Sequence, residues 1–334
     1  MSRRNAAYES GRKERVRLDR PTISVGNITT GGTGKTPMVR WLCERLIDRG
    51  VRPAVLMRGY RGTEHAGSDE QVMLEQFLGA GGAVIKANPD RVAGAAAALA
   101  EASDVGAFVL DDGFQHRRVL RDFDLVLISA IEPFGYGHVL PRGLLREPLS
   151  GLQRASAIAI THASRVSSDA LAAIERTIRQ HFAGPIYHAD HGPVGFRTSR
   201  AAADQPVDRT TDDVRDQAVL AFCGLGEPRV FHEQLNAMGA RVLGLHRFKD
   251  HHDYSADDLE MLYEKASTLG ANILVATEKD WVKLRRLPLR TSGPEIWRLD
   301  VAIRFWLDDE VRLIDQIMTA IQSTGTGAPA RPVV

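Results

Sequence analysis

Between Thr22 and Ile47 the chain passes from a short β-type run into Gly26-Asn27-Ile28-Thr29-Thr30-Gly31-Gly32-Thr33-Gly34-Lys35-Thr36 and then into an amphipathic stretch. Val39, Leu42, Cys43, Leu46 and Ile47 fall on one helical stripe there, and Gly50 stands just past its end. Strand, glycine-rich turn and helix in that order are what a nucleotide phosphate chain needs. Glycines let successive backbone N–H groups turn inward, and the helix N-terminus adds its positive dipole end. The spacing predicts a phosphate-binding loop made by Thr29, Thr30, Gly31, Gly32, Thr33, Gly34, Lys35 and Thr36. Lys35 is placed to reach the β- and γ-phosphates, and the Thr36 hydroxyl to ligate Mg²⁺. The first glycine of G-x-x-x-x-G-K-T should stand at 29, where this chain has Thr29. Taken alone, the loop also fits a plain glycine-rich helix cap.

A chain of 334 residues buries a sizeable core and divides naturally into two domains. Its net charge of +1 argues against binding nucleic acid by bulk charge. Cys43 and Cys223, with no C-x-x-C, exclude a disulfide framework and fit a reducing compartment. No apolar run approaches the roughly 20 residues of a membrane span. The N-terminus is basic, with Arg3, Arg4, Arg12, Lys13, Arg15, Arg17 and Arg20 against Glu9, Glu14 and Asp19. Such an arm reads either as a solvated terminus or as a surface for anionic headgroups.

Short apolar runs alternate with helical patterns, the signature of parallel βαβ units. Strands are predicted at Thr22–Val25, Ala54–Met57, Ala83–Lys86, Ala107–Leu110, Leu125–Ile128 and Ala157–Ile160. Between them lie the helix after Lys35, an acidic stretch from Asp69 to Leu78 and an alanine-rich helix from about Arg91 to Ala102. Polar residues 198–217 read as a linker to a second α/β stretch. That stretch has strands at 218–222, 241–245, 272–276 and 295–303, and helices at 227–238, 256–269 and 308–322. Ser255 and Asp258 form the capping box of the middle helix. The expected fold is therefore a P-loop NTPase-like, doubly wound, mostly parallel α/β sheet over residues 1–197. A smaller α/β domain at 218–323 closes the active-site cleft, and a disordered tail follows from 324.

Ala107-Phe108-Val109-Leu110-Asp111-Asp112 has the form of a strand that delivers carboxylates to its polar end. With Thr36, Asp111 and Asp112 are the candidate Mg²⁺ ligands, although many buried strands end in Asp merely to cap a loop. The next residues, Gly113-Phe114-Gln115-His116, complete a set of motifs that resembles the tetraacyldisaccharide 4′-kinase (lipid A 4′-kinase) family. The resemblance covers nearly the whole chain. It rests on Arg4-Asn5 with Tyr8, Ser24-Val25-Gly26-Asn27, the phosphate loop, Arg58-Gly59-Tyr60, Ser68-Asp69-Glu70 and Asp90-Arg91. Further on it rests on Leu140-Pro141-Arg142-Gly143-Leu144-Leu145-Arg146-Glu147-Pro148, Phe222-Cys223-Gly224-Leu225-Gly226, Phe248-Lys249-Asp250-His251-His252 and Thr277-Glu278-Lys279-Asp280. The family likewise lacks the first loop glycine.

The resemblance implies transfer of the ATP γ-phosphate to the 4′-hydroxyl of a tetraacylated glucosamine disaccharide 1-phosphate, with ATP and Mg²⁺ as cofactors. It implies Asp69 as the carboxylate that takes the hydroxyl proton and His251 as its orienting partner. Arg146 and Glu147 are then placed on substrate or at the cleft, and Arg91 near phosphate. From the residues alone, a loop aspartate is ordinarily solvated and a lone histidine structural. His246, His251 and His252 lack an accompanying thiolate and read as a surface cluster rather than a zinc site. The family implies a cytoplasmic enzyme peripheral to the inner membrane, in contact with its anionic surface. Only Met1, Ser2 and Arg3 precede Arg4, so attachment is expected to rest on the basic arm and the lipid substrate, or the start lies upstream. A rival is a nucleotide-switch ATPase that positions a protein partner; its loop carries a lysine where this chain has Thr30. A soluble small-molecule kinase on the same scaffold is a second rival.

Overall fold

The computed structural model describes residues 7–8, 11–59, 69–79, 81–200, 207–224, 228–250 and 252–325. The chain forms two compact units, Met1–His191 with Ile303–Val334, and Gly192–Ala302.

The first unit carries strands β1 (Thr22–Asn27), β2 (Pro53–Met57), β3 (Val84–Ala87), β4 (Ala107–Asp111), β5 (Phe123–Ser129), β6 (Ala157–Thr161) and the start of β7 (Ile186–Thr198). They stand in the order β3-β2-β4-β1-β5-β6-β7, and every pair is parallel. β1, β2, β5 and β6 are buried along their whole length. That is why they read as unbroken apolar runs rather than alternating ones. Helices α1 (Lys35–Ile47), α2 (Asp69–Leu78), α3 (Arg91–Glu101) and α4 (Ser168–Arg179) cover the sheet. Asp90 caps α3 by accepting from the Val92 and Ala93 N–H groups.

The second unit is built on β8 (Ala218–Cys223), β9 (Arg241–Arg247), β10 (Ile273–Thr277) and β11 (Glu295–Phe305), in the order β11-β10-β8-β9 and again parallel. Helices α5 (Pro228–Ala237), α6 (Ala256–Leu269) and α7 (Glu278–Leu284) pack on it. The Ser255–Asp258 capping box is formed.

The strand and helix positions follow the sequence patterns closely, with three additions. β7, α4 and α7 answer to no sequence expectation. β7 contains Gly192, Pro193 and Gly195, which read as breakers in sequence, while its first residues, Ile186–His188, pair with β6. α4 shows its period in buried Leu171, Ile174 and Ile178 and is capped by Ser167.

The unit boundary differs from the expected linker. Inside 198–217, Arg209 bridges Phe196 of β7, and Val214 joins Phe196 and Trp297 in the second unit's core. Burial of that one valine turns a polar stretch into part of the domain. The chain leaves the first unit along β7 and re-enters it along β11, so helix α8 (Asp309–Gly325) belongs with the first unit. Leu313, Ile314, Ile317 and Ile321 share a core with Met38, Trp41 and Leu42 of α1. Trp41 packs at a tilt against Phe305, ring centroids 4.7 Å apart, and donates its Nε1–H to Glu310 at 2.9 Å. Residues 326–334 of the expected tail lie outside the described residues.

Candidate active site

The loop begins where β1 ends. Gly34 sits in the left-handed region at φ 80° as the N-cap of α1 and offers no side chain to cap it. The first N–H groups of α1 therefore face outward unclaimed by a cap, as an anion site requires. The loop is held from both sides. Asn27 donates to the Thr33 hydroxyl at 2.9 Å, and the Thr161 hydroxyl donates to the Thr33 carbonyl at 3.1 Å. On the other side the Thr30 N–H donates to the Leu144 carbonyl at 2.8 Å, and Arg146 N–H to the Ile28 carbonyl at 2.7 Å. The Leu144–Arg146 segment thus lies along the loop as a short strand-like brace.

Parallel pairing of β1 with β4 sets Asp111 abreast of Val25. The chain then turns sharply at Asp112, a non-glycine residue at φ 54°. The turn fits because Gly26 and Gly113 leave room: a Cβ at Gly26 would lie 2.7 Å from Phe114 Cβ, and one at Gly113 would lie 2.6 Å from Ser24 Oγ. Asp112 receives Arg146 at 2.7 Å and lies 3.7 Å from the Lys35 ammonium. Burial works to raise the Asp112 carboxyl, but Lys35 and Arg146 outweigh it and hold it below the usual range. Burial also lowers Lys35, against the opposing pull of Asp112. Asp111 is different. Burial and the neighbouring Asp112 charge push it up to about 6, and its Oδ1 is enclosed with no hydrogen-bond partner among the described residues.

Arg91, buried at the start of α3, donates to the Asn88 carbonyl at 3.0 Å and the Asp111 carbonyl at 3.4 Å. It braces the backbone at the acidic strand end. Glu147 is 6% exposed, and its oxygens take Gln115 at 2.9 Å, Arg154 at 2.6 Å and Arg117 at 3.5 Å. Gln115 in turn donates to the Asn27 carbonyl at 2.8 Å. The expected substrate contact Glu147 is therefore committed to holding the turn beside the loop, whereas Arg146 faces the acidic pair. Asn27 and Gln115 stand within the family motifs without an assigned role, Arg117 directly follows one of them, and Arg154 is not singled out by the sequence.

Asp69 opens α2, and its side chain lies outside the described residues, as do Ser68, Tyr60, Leu225, Gly226 and His251. The neighbouring residues of the second unit are described. Asp280, 3% exposed, accepts from the Gly224 N–H at 3.0 Å and Tyr254 at 2.9 Å, while Lys283 donates to the His252 carbonyl at 2.9 Å. His252 pairs with Asp258 at 3.0 Å and stacks on Phe248, and His246 meets Lys265 at 3.2 Å. These partners engage His246 and His252 separately, and no group of metal-binding side chains is found among the described residues.

A parallel sheet with a glycine loop at a helix N-terminus, Lys35 and Thr36 closing it, and a carboxylate pair abreast defines a P-loop phosphotransferase. The family model "Tetraacyldisaccharide-1-P 4'-kinase" matches residues 1–322. A "Tetraacyldisaccharide 4'-kinase" of Halothermothrix orenii is 35% identical over 288 residues, covering 79% of this chain and 74% of its own. One from Anaeromyxobacter dehalogenans is 34% identical over 353 aligned positions, covering 99% of this chain and 90% of its own. The crystal structure of LpxK from Aquifex aeolicus in complex with ATP superposes with a TM-score of 0.73 at 26% identity, covering 96% of this chain and 94% of that one. The chain belongs to the tetraacyldisaccharide 4′-kinase family, and is thus an ATP-using kinase of lipid A biosynthesis.

Proposed function

We propose that Lys35, Thr36, Asp111, Asp112 and Arg146 carry out transfer of the ATP γ-phosphoryl group to the 4′-hydroxyl of a tetraacylated disaccharide 1-phosphate. The observation that supports it most directly is the Lys35–Asp112–Arg146 array set beside an unpartnered, buried Asp111 oxygen. A loose phosphoryl-transfer transition state asks for positioning and charge neutralisation more than for covalent help from the protein. Lys35 and Arg146 bring fixed positive charge, and Asp112 keeps both in place. The acceptor oxygen bonds to the γ-phosphorus as the bond to the β,γ-bridging oxygen breaks, and ADP leaves. The hydroxyl proton passes to Asp69, with His251 orienting that carboxylate.

Thr36, Asp111 and Asp112 fit Mg²⁺, since all three offer oxygen and the Asp111 Oδ1 is enclosed without a partner among the described residues. Bound there, the ion would supply positive charge to offset that of the phosphates. The switch-ATPase reading is disfavoured by Thr30, whose N–H and hydroxyl both turn into the fold onto the Leu144 carbonyl. Among the described residues no helix is long and apolar enough to cross a membrane. Peripheral contact with the anionic cytoplasmic face of the inner membrane would rest on the exposed Arg12, Lys13 and Arg15. Arg17 and Arg20 are tied instead to Asp122 and to the Val105 carbonyl.

Incubation with ATP, Mg²⁺ and the disaccharide 1-phosphate tests the activity. A double-mutant cycle tests the proton path. Asp69→Ala and His251→Ala should each lower kcat by about 10²- to 10⁴-fold with little change in KM for ATP, and the double variant should be hardly worse. Strictly additive losses would sink the pairing.

A further inference from the structure

One half-buried polar side chain beside the phosphate loop, with an enclosed ring nitrogen, has no role in the chemistry above. His191, on β7 within the first unit, turns its ring edge onto Gly34. A Cβ at position 34 would overlap His191 Cε1 and Nε2, so the loop glycine is required here by space as well as by its φ of 80°. The ring is held from behind. Its Nδ1 lies 3.0 Å from His162 Nε2, and His162 Nδ1 lies 3.1 Å from the Ser129 hydroxyl. The two imidazoles meet edge to face with centroids 4.6 Å apart. His162 is itself a non-glycine residue at φ 57°, a conformation that persists only where surroundings impose it. The neighbouring Thr161 hydroxyl donates to the Thr33 carbonyl, so the 161–162 turn touches the same loop.

The contacts admit two tautomer sets, because a serine hydroxyl can donate or accept. In the set where the Ser129 hydroxyl donates to His162 Nδ1, the His162 proton sits on Nε2 and points at His191 Nδ1. The His191 proton must then sit on Nε2. That nitrogen is closed to solvent and has no partner among the described residues. A buried donor left unmade costs free energy unless something arrives to accept from it. What the loop beside it is built to hold is an anion.

We propose that His191 is part of the nucleotide phosphate site, where its Nε2–H donates to a phosphate oxygen of ATP and His162 and Ser129 hold it in the donating tautomer. This rests on the phosphate-loop reading of Gly31–Thr36. Burial and the adjacent His162 push the His191 ring down to about 3, so it serves as a neutral donor throughout the physiological range. It adds a directed hydrogen bond without adding a charge that would have to be neutralised in the empty protein.

The test uses the full-length protein and AMPPNP as probe. His191→Phe keeps a flat ring against Gly34 and deletes the donor. Its Kd for AMPPNP, measured by calorimetry with Mg²⁺, should rise about tenfold to a hundredfold, the range for a hydrogen bond to a charged acceptor. Unchanged affinity in His191→Phe would overturn the proposal. Lys35→Ala serves as the control: if it too binds like the wild type, the phosphate-loop reading itself fails. Histidine ¹⁵N spectra of the unmutated protein need no variant to fold. They should show His191 protonated at Nε2 and that signal shifting on AMPPNP addition. A His191 protonated at Nδ1, or a signal indifferent to AMPPNP, would also overturn it.

Discussion

Lys35 and Asp112 illustrate how little of a site's chemistry resides in one side chain. Asp112 takes both Lys35 at 3.7 Å and Arg146 at 2.7 Å, so the carboxylate and the two cations hold one another in position. Lys35→Ala and Thr36→Ala should abolish transfer while circular dichroism and melting temperature stay close to wild type, because neither side chain fills the core. Near-normal turnover at saturating ATP and Mg²⁺ in either variant would refute the loop assignment. Asp111 carries a pH signature. Its carboxyl is raised from 3.8 to about 6 by burial and by Asp112. The folded state thus favours the protonated form. Its contribution is fully present below the unfolded value and is lost as pH rises through about 6. In the metal-free protein this loss should amount to on the order of 2 kcal/mol, and Asp111→Asn should remove it. Denaturant melts at pH 4.5 and 7.5 check this, and an identical pH difference in the variant would refute it.

Among the elements, α8 shows how a segment far along the chain completes an early core. Ile317 is fully buried in the cluster that contains Met38 and Leu42 of α1. Ile317→Ala should destabilise the first unit by about 2–5 kcal/mol, the usual range for truncating a buried aliphatic side chain. Urea unfolding measures it, and a loss below about 1 kcal/mol would mean that α8 is docked only loosely. Leu144–Arg146 is a second case. As sequence it is part of a motif, but as structure it is a brace whose backbone holds the loop at Ile28 and Thr30.

For the molecule as a whole, the near-zero net charge of +1 makes any attraction to a membrane a local matter. In the proposed membrane contact the exposed cations Arg12, Lys13 and Arg15 would supply it, each contributing about 1 kcal/mol near an anionic surface. Reversing these three to glutamate should lower co-sedimentation with phosphatidylglycerol vesicles several-fold and leave ATP affinity unchanged. Equal sedimentation of the two proteins would remove the basic arm from the account.

The amino-acid sequence by itself determined the parallel α/β class, most strand and helix positions, the phosphate loop and the acidic strand end. Each of these is a local pattern: apolar runs of strand length, a glycine turn into a helical stripe, a capping box at Ser255 and Asp258. The family's motifs were legible too, although the reason for each was not. Only the tertiary structure decided that Glu147 is turned inward onto Gln115, Arg117 and Arg154, that α8 returns to the first unit, and that Val214 draws an apparent linker into a core. The same holds for the meeting of His162 and His191 against Gly34. These contacts join residues far apart along the chain. Periodicity and spacing report what neighbouring residues prefer, and carry no record of which distant surface will meet them.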